Sequence, residues 1–381
     1  MFMPESSEAA LPMMFLLWFF WGLWPLLRKQ GGTGNVDFDL TYVVMQCIVA
    51  LLFCFSMGMV NLGNTRHFDE RQFHEVIARD FQERMGAALL SMLAGACLCA
   101  GDFLMACAID VFGVVVACPV GFGIALIAGS TLNYVIEPRA VPELLFPGVL
   151  ACFLGMLCDA ASHAGPKNTD KNSPREADAE PGTEGSGALE AAETSAPGIA
   201  LEAVPPQQMQ ITKWYHWALP LAGGIGCACF GPMSTAAATF GKLDPYAVYF
   251  CFMVGQFLAV LPQACIYTRV TESEHHFMQV PSVVLGRYVD AFRRSPKGFL
   301  WNSGAGIATG TGYFLFFVGS PVVSRAVGFI FGCSGLLLSI FAGLLVFQEY
   351  KDASPRQKVL VACATVFITT ALGLMSVAGR D

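Results

Sequence analysis

Residues 86–109 read GAALLSMLAGACLCAGDFLMACAI, an unbroken apolar stretch in which Asp102 is the single charged side chain. A helix needs about 20 apolar residues to cross a hydrocarbon core of about 30 Å, so this stretch is long enough to span a membrane. Ten such runs lie at about residues 9–27, 38–60, 86–109, 113–136, 142–162, 214–234, 245–268, 299–319, 321–347 and 357–378. The sequence therefore predicts an all-α integral membrane protein with ten transmembrane helices.

The composition excludes several soluble classes of protein. Hydrophobic residues make up 55% of the 381 residues and charged residues 13%, and the mean hydropathy is +0.55. Soluble domains carry about 25% charged residues, so a soluble globular enzyme is excluded. The net charge of −7 argues against a nucleic-acid partner, which needs a basic surface. All 14 cysteines fall inside apolar runs, where we expect free thiols packed between helices.

A polar segment divides the apolar runs into two groups of five. Residues 164–212 are rich in Pro, Gly, Glu, Ala and Ser and have almost no aromatic side chains. Such a composition cannot bury enough apolar surface to fold, so we predict a disordered linker. It separates a first five-helix unit, residues 1–163, from a second, residues 213–381.

The two units share an internal spacing. The segment GDFL, which begins at Gly101, lies 36 residues before Glu137, and GYFL, which begins at Gly312, lies 37 residues before Glu349. An odd number of spans in each unit inverts the second copy in the bilayer. Inverted repeats are typical of secondary transporters, in which the substrate site lies near the midplane between the repeats.

Charged residues add two further predictions. Apolar residues recur at helical spacing in residues 73–81 and 284–292, which predicts an amphipathic helix at the membrane surface in each unit. Lys and Arg number 14 on the linker side of the spans and 7 on the other side. The positive-inside rule then places the linker in the cytoplasm and both termini outside.

A set of short motifs resembles a known family. The most specific part of the match is GSTLNY at 129–134, followed by Glu137, LFPGV at 145–149 and ACF at 151–153. Other matching motifs are GLWP at 22–25, FGP at 230–232 and FQEY at 347–350. Together these motifs resemble the ureide permeases, best known from plants, over all ten spans and both amphipathic connections.

The resemblance implies a ten-helix carrier of the drug/metabolite transporter type, in which spans 1, 3, 4, 6, 8 and 9 surround a cavity. Such carriers move allantoin, related uncharged ureides and nucleobases such as uracil, together with protons. Plant members have a nucleotide-binding-like stretch in the central loop. The linker here has no GxxxxGK[ST] motif, so we expect no ATP binding. Many ten-span relatives in the wider superfamily keep both termini in the cytoplasm, opposite to the charge count.

Two in-span charges are candidate site residues. Asp102 lies about two turns inside the third span, where a charge is costly unless it faces a cavity or a partner. It could bind substrate and the coupling proton, or it could form a hydrogen bond between helices. Arg325 lies in the first turns of the ninth span. It could bind substrate carbonyl oxygens, or its guanidinium could extend to the membrane interface.

Aromatic and proline residues complete the candidate site. Trp21 and Trp24 recur at helical spacing along the first span and could stack on a flat heterocycle, although an interfacial or lipid-facing role is commoner. Pro119 interrupts the fourth span, and we expect it to line the transport path. Glu137 and Glu349 end the fourth and ninth spans, where we expect them to cap the following helices.

These residues predict a secondary transporter, not an enzyme, that moves a small uncharged heterocycle by alternating access, with Asp102 as the proton-coupling group. No cofactor and no metal site is expected; the partners are the substrate, protons and the lipid bilayer, and a homodimer is left open. We favour the plasma membrane over an organelle membrane. One alternative is a sugar or nucleotide-sugar carrier of the same fold, although a nucleotide-sugar needs several basic groups and Arg325 alone lies inside a span. Another is a non-transporting membrane receptor.

Overall fold

The computed structural model describes residues 2–59, 72–112, 114–163, 214–271, 280–345 and 353–379, and within these ranges every regular element is helical. The α-helices are α1 (Ser7–Gly31), α2 (Asn35–Ser56), α3 (Phe73–Glu83), α4 (Met85–Phe112), α5 (Val114–Ile136), α6 (Pro142–His163), α7 (Ala218–Thr239), α8 (Pro245–Thr271), α9 (Val280–Arg294), α10 (Pro296–Val323), α11 (Arg325–Cys333), α12 (Leu336–Leu345) and α13 (Pro355–Ala378). Nine helices of the described chain are long and apolar enough to cross a membrane, namely α1, α2, α4, α5, α6, α7, α8, α10 and α13. The protein is therefore an all-α, multi-pass integral membrane protein. The predicted linker at 164–212 lies outside the described residues.

Helix starts follow ordinary capping signals in the sequence. The hydroxyl of Ser6 accepts the N–H of Ala9 (3.3 Å) at the start of α1. Ser354 and Gln357 cap α13 reciprocally: the Ser354 hydroxyl accepts the Gln357 N–H (3.3 Å), and the Gln357 side chain accepts the Ser354 N–H (2.9 Å). These bonds satisfy N–H groups that have no partner inside the helix.

Both predicted amphipathic helices are present. The first is α3, which buries Phe73 and Val76, and the second is α9, which buries Val280 and Val284. The prediction of free cysteines is also confirmed, since all 14 thiols are unpaired. Most of them lie buried or half-buried between helices, where they act as small apolar side chains.

The predicted continuous span at 321–347 is wrong, because the chain there forms two short helices. Helix α10 continues to Val323, and Ser324, with φ at +151°, separates it from α11. A second break falls between α11 and α12, where Ser334 and Gly335 leave the helix. Gly335 packs against α1 so closely that a Cβ atom there would lie 2.8 Å from the backbone N of Gly22. This backbone contact is with a residue far away in the sequence, so the local apolar pattern does not reveal it.

Helix ends define two faces of the bundle. On one face the N–H of Val141, before α6, donates to the carbonyl of Ala378 at the end of α13 (3.2 Å). We call this face, which holds both ends of the described chain, the terminal face. On the opposite face Arg28 at the end of α1 forms an ion pair with Asp110 at the end of α4 (3.5 Å). Between the faces α1 packs along α10, and α4 packs along α7 and α8.

Candidate functional site

A cavity lies inside the bundle, between α1, α2, α4, α5, α7, α10 and α11. The volume open to the centres of water molecules is about 60 Å³. One water molecule needs about 10–15 Å³ by this measure, so the cavity can hold several. Asp102 on its wall lies ten residues before the end of α4, or about 15 Å along the helix axis. The cavity is therefore near the middle of the membrane-spanning layer.

Seven of the 16 residues that line the cavity are aromatic. Trp21 contacts the ring of Tyr313 (centroids 5.0 Å apart) and that of Phe230 (6.0 Å). Trp24 lies edge-on to Phe122 (6.4 Å). The structure thus places Trp21 and Trp24, both candidate substrate-binding residues, at the cavity. The Nε1–H of Trp21 is buried and has no hydrogen-bond partner among the residues that the structure describes, which leaves a donor beside the cavity.

Trp18, one turn before Trp21, has a different position. Its Nε1–H donates to the backbone carbonyl of Ser334 (3.0 Å), at the break between α11 and α12. Gly332 and Cys333, just before this break, line the cavity. The break therefore lies at the cavity wall, and α1 is hydrogen-bonded to it.

Asp102 is the acidic residue of the cavity wall among the described residues. The Sγ–H of Cys227 on α7 donates to its carboxylate (3.6 Å). Tyr42, Thr309 and Tyr313 contribute hydroxyl groups to the wall. No Arg or Lys lines the cavity in the part of the chain that the structure describes. Sequence reasoning found Asp102 from its charge, whereas the three hydroxyl groups carried no signal that separates them from other polar residues in spans.

Pro119 lies beside the cavity and not on its wall. It is buried within α5, which continues as a helix through it. Phe122 and Ala125, on the following turns, are the α5 residues that line the cavity. The interruption expected at Pro119 is instead found between α11 and α12.

Arg325 lies at the terminal face, away from the cavity. Its guanidinium is buried and forms an ion pair with the carboxylate of Glu137 at the end of α5. It also donates to the hydroxyl of Thr239 at the end of α7 (3.3 Å). The Nε–H of Arg139 pairs with the same Glu137 carboxylate (3.1 Å). The side chain of Arg325 thus does not line the cavity and is held in a buried ion pair at the terminal face.

Glu137, which we expected to cap the next helix, takes part in this ion pair. Its carboxylate bonds the two arginines, which join the ends of α5, α7 and α11. Sequence reasoning identified both charges, but the meeting of α5 and α11 is a tertiary contact. Glu349, the corresponding residue of the second unit, lies outside the described residues.

Comparison with known proteins agrees with this architecture. A family model described as ureide permease matches residues 38–200. Ureide permease 2 of Arabidopsis thaliana is 25% identical over 416 residues, and ureide permease 4 of the same plant is 26% identical over 417 residues; each alignment covers 100% of both chains. The chain is thus similar to ureide permeases over its whole length. The resemblance indicated by the sequence motifs is thereby confirmed.

Further matches extend this result. A probable ureide permease A3 of Vigna unguiculata is 24% identical and covers 92% of this chain and 98% of its own length. A solved crystal structure covers 96% of this chain and 97% of its own chain, with a TM-score of 0.54 at 12% identity. At this identity the likeness shows a shared fold alone. The similarity to ureide permeases and the shared fold both extend over nearly the whole chain.

Proposed function

We propose that the protein is a secondary transporter that carries a small uncharged heterocycle, of the allantoin-like ureide or uracil-like nucleobase class, across a membrane. The observation that carries this proposal is the mid-membrane cavity with aromatic walls and one carboxylate, Asp102. The relationship to proteins named ureide permeases supports the same substrate class.

The cavity has the chemistry to bind a planar urea or imide group. Its rings provide flat apolar surfaces, on which a heterocycle can stack. The Asp102 carboxylate can accept two N–H groups, and the unpartnered Nε1–H of Trp21 can donate to a carbonyl oxygen. A nucleotide-sugar is disfavoured, because its phosphates require basic side chains and none lines the described cavity.

The packing of helices supports an inverted-repeat architecture. Helix α1 packs along α10 in the way that α7 packs along α4, and α2 packs along α10 as α8 packs along α4. Helix α2 also contacts α8, and α6 contacts α13. Exchanging α1–α6 for α7–α13 therefore converts each of these contacts into another that is present. In this proposal α11 and α12 together take the place of α5 and form the tenth span.

Alternating access requires contacts that close one face while the other opens. The Arg325–Glu137 ion pair and the Arg325–Thr239 hydrogen bond join α11 to α5 and α7 at the terminal face. We assign them as the contacts that hold this face closed in the present structure. They have to break when the cavity opens to that side.

Orientation and location follow from charge. The excess of Lys and Arg beside the linker favours a cytoplasmic linker, with the terminal face outside. We favour the plasma membrane for this chain. Labelling of a tag placed after Asp381 on intact cells tests the orientation. Protection of that tag from an external reagent overturns it.

The proposed function is tested by uptake of radiolabelled allantoin and uracil in cells that express the chain, at about pH 5.5 and about pH 7.5. We expect faster uptake in acid, and loss of this pH dependence in Asp102→Asn. Asp290→Asn, an exposed carboxylate on α9, is the matched control and should behave as wild type. No uptake of either compound by protein shown to reach the surface contradicts the substrate class and favours a neutral sugar. Acid-stimulated uptake that is unchanged in Asp102→Asn keeps the transporter and removes the coupling role of Asp102.

A further inference from the structure

A second buried carboxylate lies next to the cavity. Asp39 is on α2, about one turn from the start of the helix, and is 3% exposed. Its Oδ2 accepts a hydrogen bond from Nε2 of Gln263 on α8 (2.8 Å). A buried carboxylate that is bonded to a neutral amide is costly to keep ionised, so this group needs either a proton or a nearby positive charge.

Asp39 is electrostatically coupled to the cavity. Asp39 interacts electrostatically with Asp102 and with Arg28. Tyr42, on the next turn of α2, lines the cavity, interacts with both carboxylates and hydrogen-bonds to Thr309 on α10. Asp39 and Asp102, with Tyr42 near both, therefore form one cluster, which we call the carboxylate pair.

The charges around this cluster do not balance two anions. The other ionisable groups that interact with Asp39 are Arg28 on α1 and the thiols of Cys99 and Cys107 on α4. Besides Asp39 and Tyr42, Asp102 interacts with three ionisable side chains: Cys99, Cys227 on α7 and Tyr313 on α10. Arg28 is thus the nearby cation, and it is also paired with Asp110 (3.5 Å). Two carboxylates that share so little positive charge in a low-dielectric site retain one proton between them.

We propose that Asp39 is a second proton-binding residue of the transport cycle, and that Asp102 and Asp39 share one proton which moves to Asp39 when substrate binds. The step is a proton transfer: the O–H bond of Asp102 breaks and an O–H bond forms on Asp39. The substrate N–H groups then occupy the ionised Asp102. This inference rests on the proposed function.

The test is the pH dependence of substrate affinity, measured on the purified full chain in lipid nanodiscs with allantoin and uracil as probes. Wild type is compared with Asp39→Asn, Asp102→Asn and the control Asp290→Asn between about pH 6 and about pH 8. In wild type the displaced proton stays within the pair, so Kd changes by less than about twofold. In Asp39→Asn the proton must leave to solvent, so affinity weakens by up to about tenfold for each unit of acidification.

The remaining outcomes separate this inference from the proposed function. Asp102→Asn should bind at least about tenfold more weakly at every pH, because it loses a charged acceptor. Equal pH dependence in wild type and Asp39→Asn overturns the shared proton. If Asp39→Asn does not fold, the inference is tested by measuring the protons that wild type releases into weak buffer when substrate binds. The shared proton gives no net release, whereas release approaching one proton per bound substrate overturns it. Absence of binding of both probes to wild type at every pH overturns the proposed function and this inference with it.

Discussion

The ion pair at the terminal face predicts the order in which variants of Glu137 and Arg325 lose stability. In Glu137→Leu the buried guanidinium of Arg325 keeps its hydrogen bond to the hydroxyl of Thr239 but loses its ion pair. Removing one partner of a buried ion pair costs about 3–5 kcal/mol, because an uncompensated charge remains. We therefore expect this variant to lose about that much free energy of unfolding.

The opposite variant should cost less. Arg325→Met leaves Glu137 paired with Arg139, which is 3.1 Å away and has a side chain that is 61% exposed. A carboxylate with a water-facing partner is partly compensated, so the expected loss is about 1–3 kcal/mol. The double variant Glu137→Leu with Arg325→Met removes both charges and should be closer to wild type than Glu137→Leu alone.

The assay is denaturant-induced unfolding of the purified full chain in one detergent, followed by tryptophan fluorescence. Arg139→Gln is the control, because an exposed arginine contributes about 1 kcal/mol or less. A loss in Arg325→Met that equals or exceeds the loss in Glu137→Leu refutes the reasoning. A double variant that is less stable than Glu137→Leu alone refutes it as well.

Three further predictions concern the cavity, a buried carboxylate and the helix break. Trp21→Phe keeps a ring but removes the indole N–H, so affinity for allantoin should fall about tenfold in a nanodisc binding assay; an unchanged Kd shows that this N–H does not contact substrate. Burial raises the pKa of Asp244, outside the spans, to about 6. Because this value lies above the unfolded one, the folded state favours the protonated form, so unfolding free energy should rise as pH falls through about 6, and Asp244→Asn should remove this dependence. Gly335→Ala forces a Cβ against α1 and should cost about 1–3 kcal/mol. Gly373→Ala, which has open space, is its control and should cost nothing; equal stability of the two variants contradicts the close approach.

The sequence was sufficient for features that depend on local composition. The apolar run at 86–109 became α4, and the helical spacing at 73–81 and 284–292 became α3 and α9. Trp21 and Asp102 were found from residue type and position in a span. In each case the signal lies within one turn or one span, which is the range over which hydrophobic patterns are informative.

The features that sequence reasoning missed depend on contacts between distant segments. Residues 332–335 continue an apolar run, and the break there forms where Gly335 meets Gly22 on α1. Likewise, Asp39 looks like an ordinary residue at a helix start until α8 brings Gln263 to its carboxylate. Neither contact has a local sequence signal.

The break between α11 and α12 connects the cavity wall to α1. A helix end inside the membrane layer exposes backbone groups that lipid cannot satisfy, and the Trp18 indole provides one of the needed hydrogen bonds to Ser334. Trp21, one turn further along α1, contacts the cavity rings of Tyr313 and Phe230. In the proposed transport cycle we expect a change in ring packing around a bound substrate to be transmitted through α1 to the break. Since α11 begins at Arg325, the same short helix joins the cavity wall to the ion pair that we propose closes the terminal face.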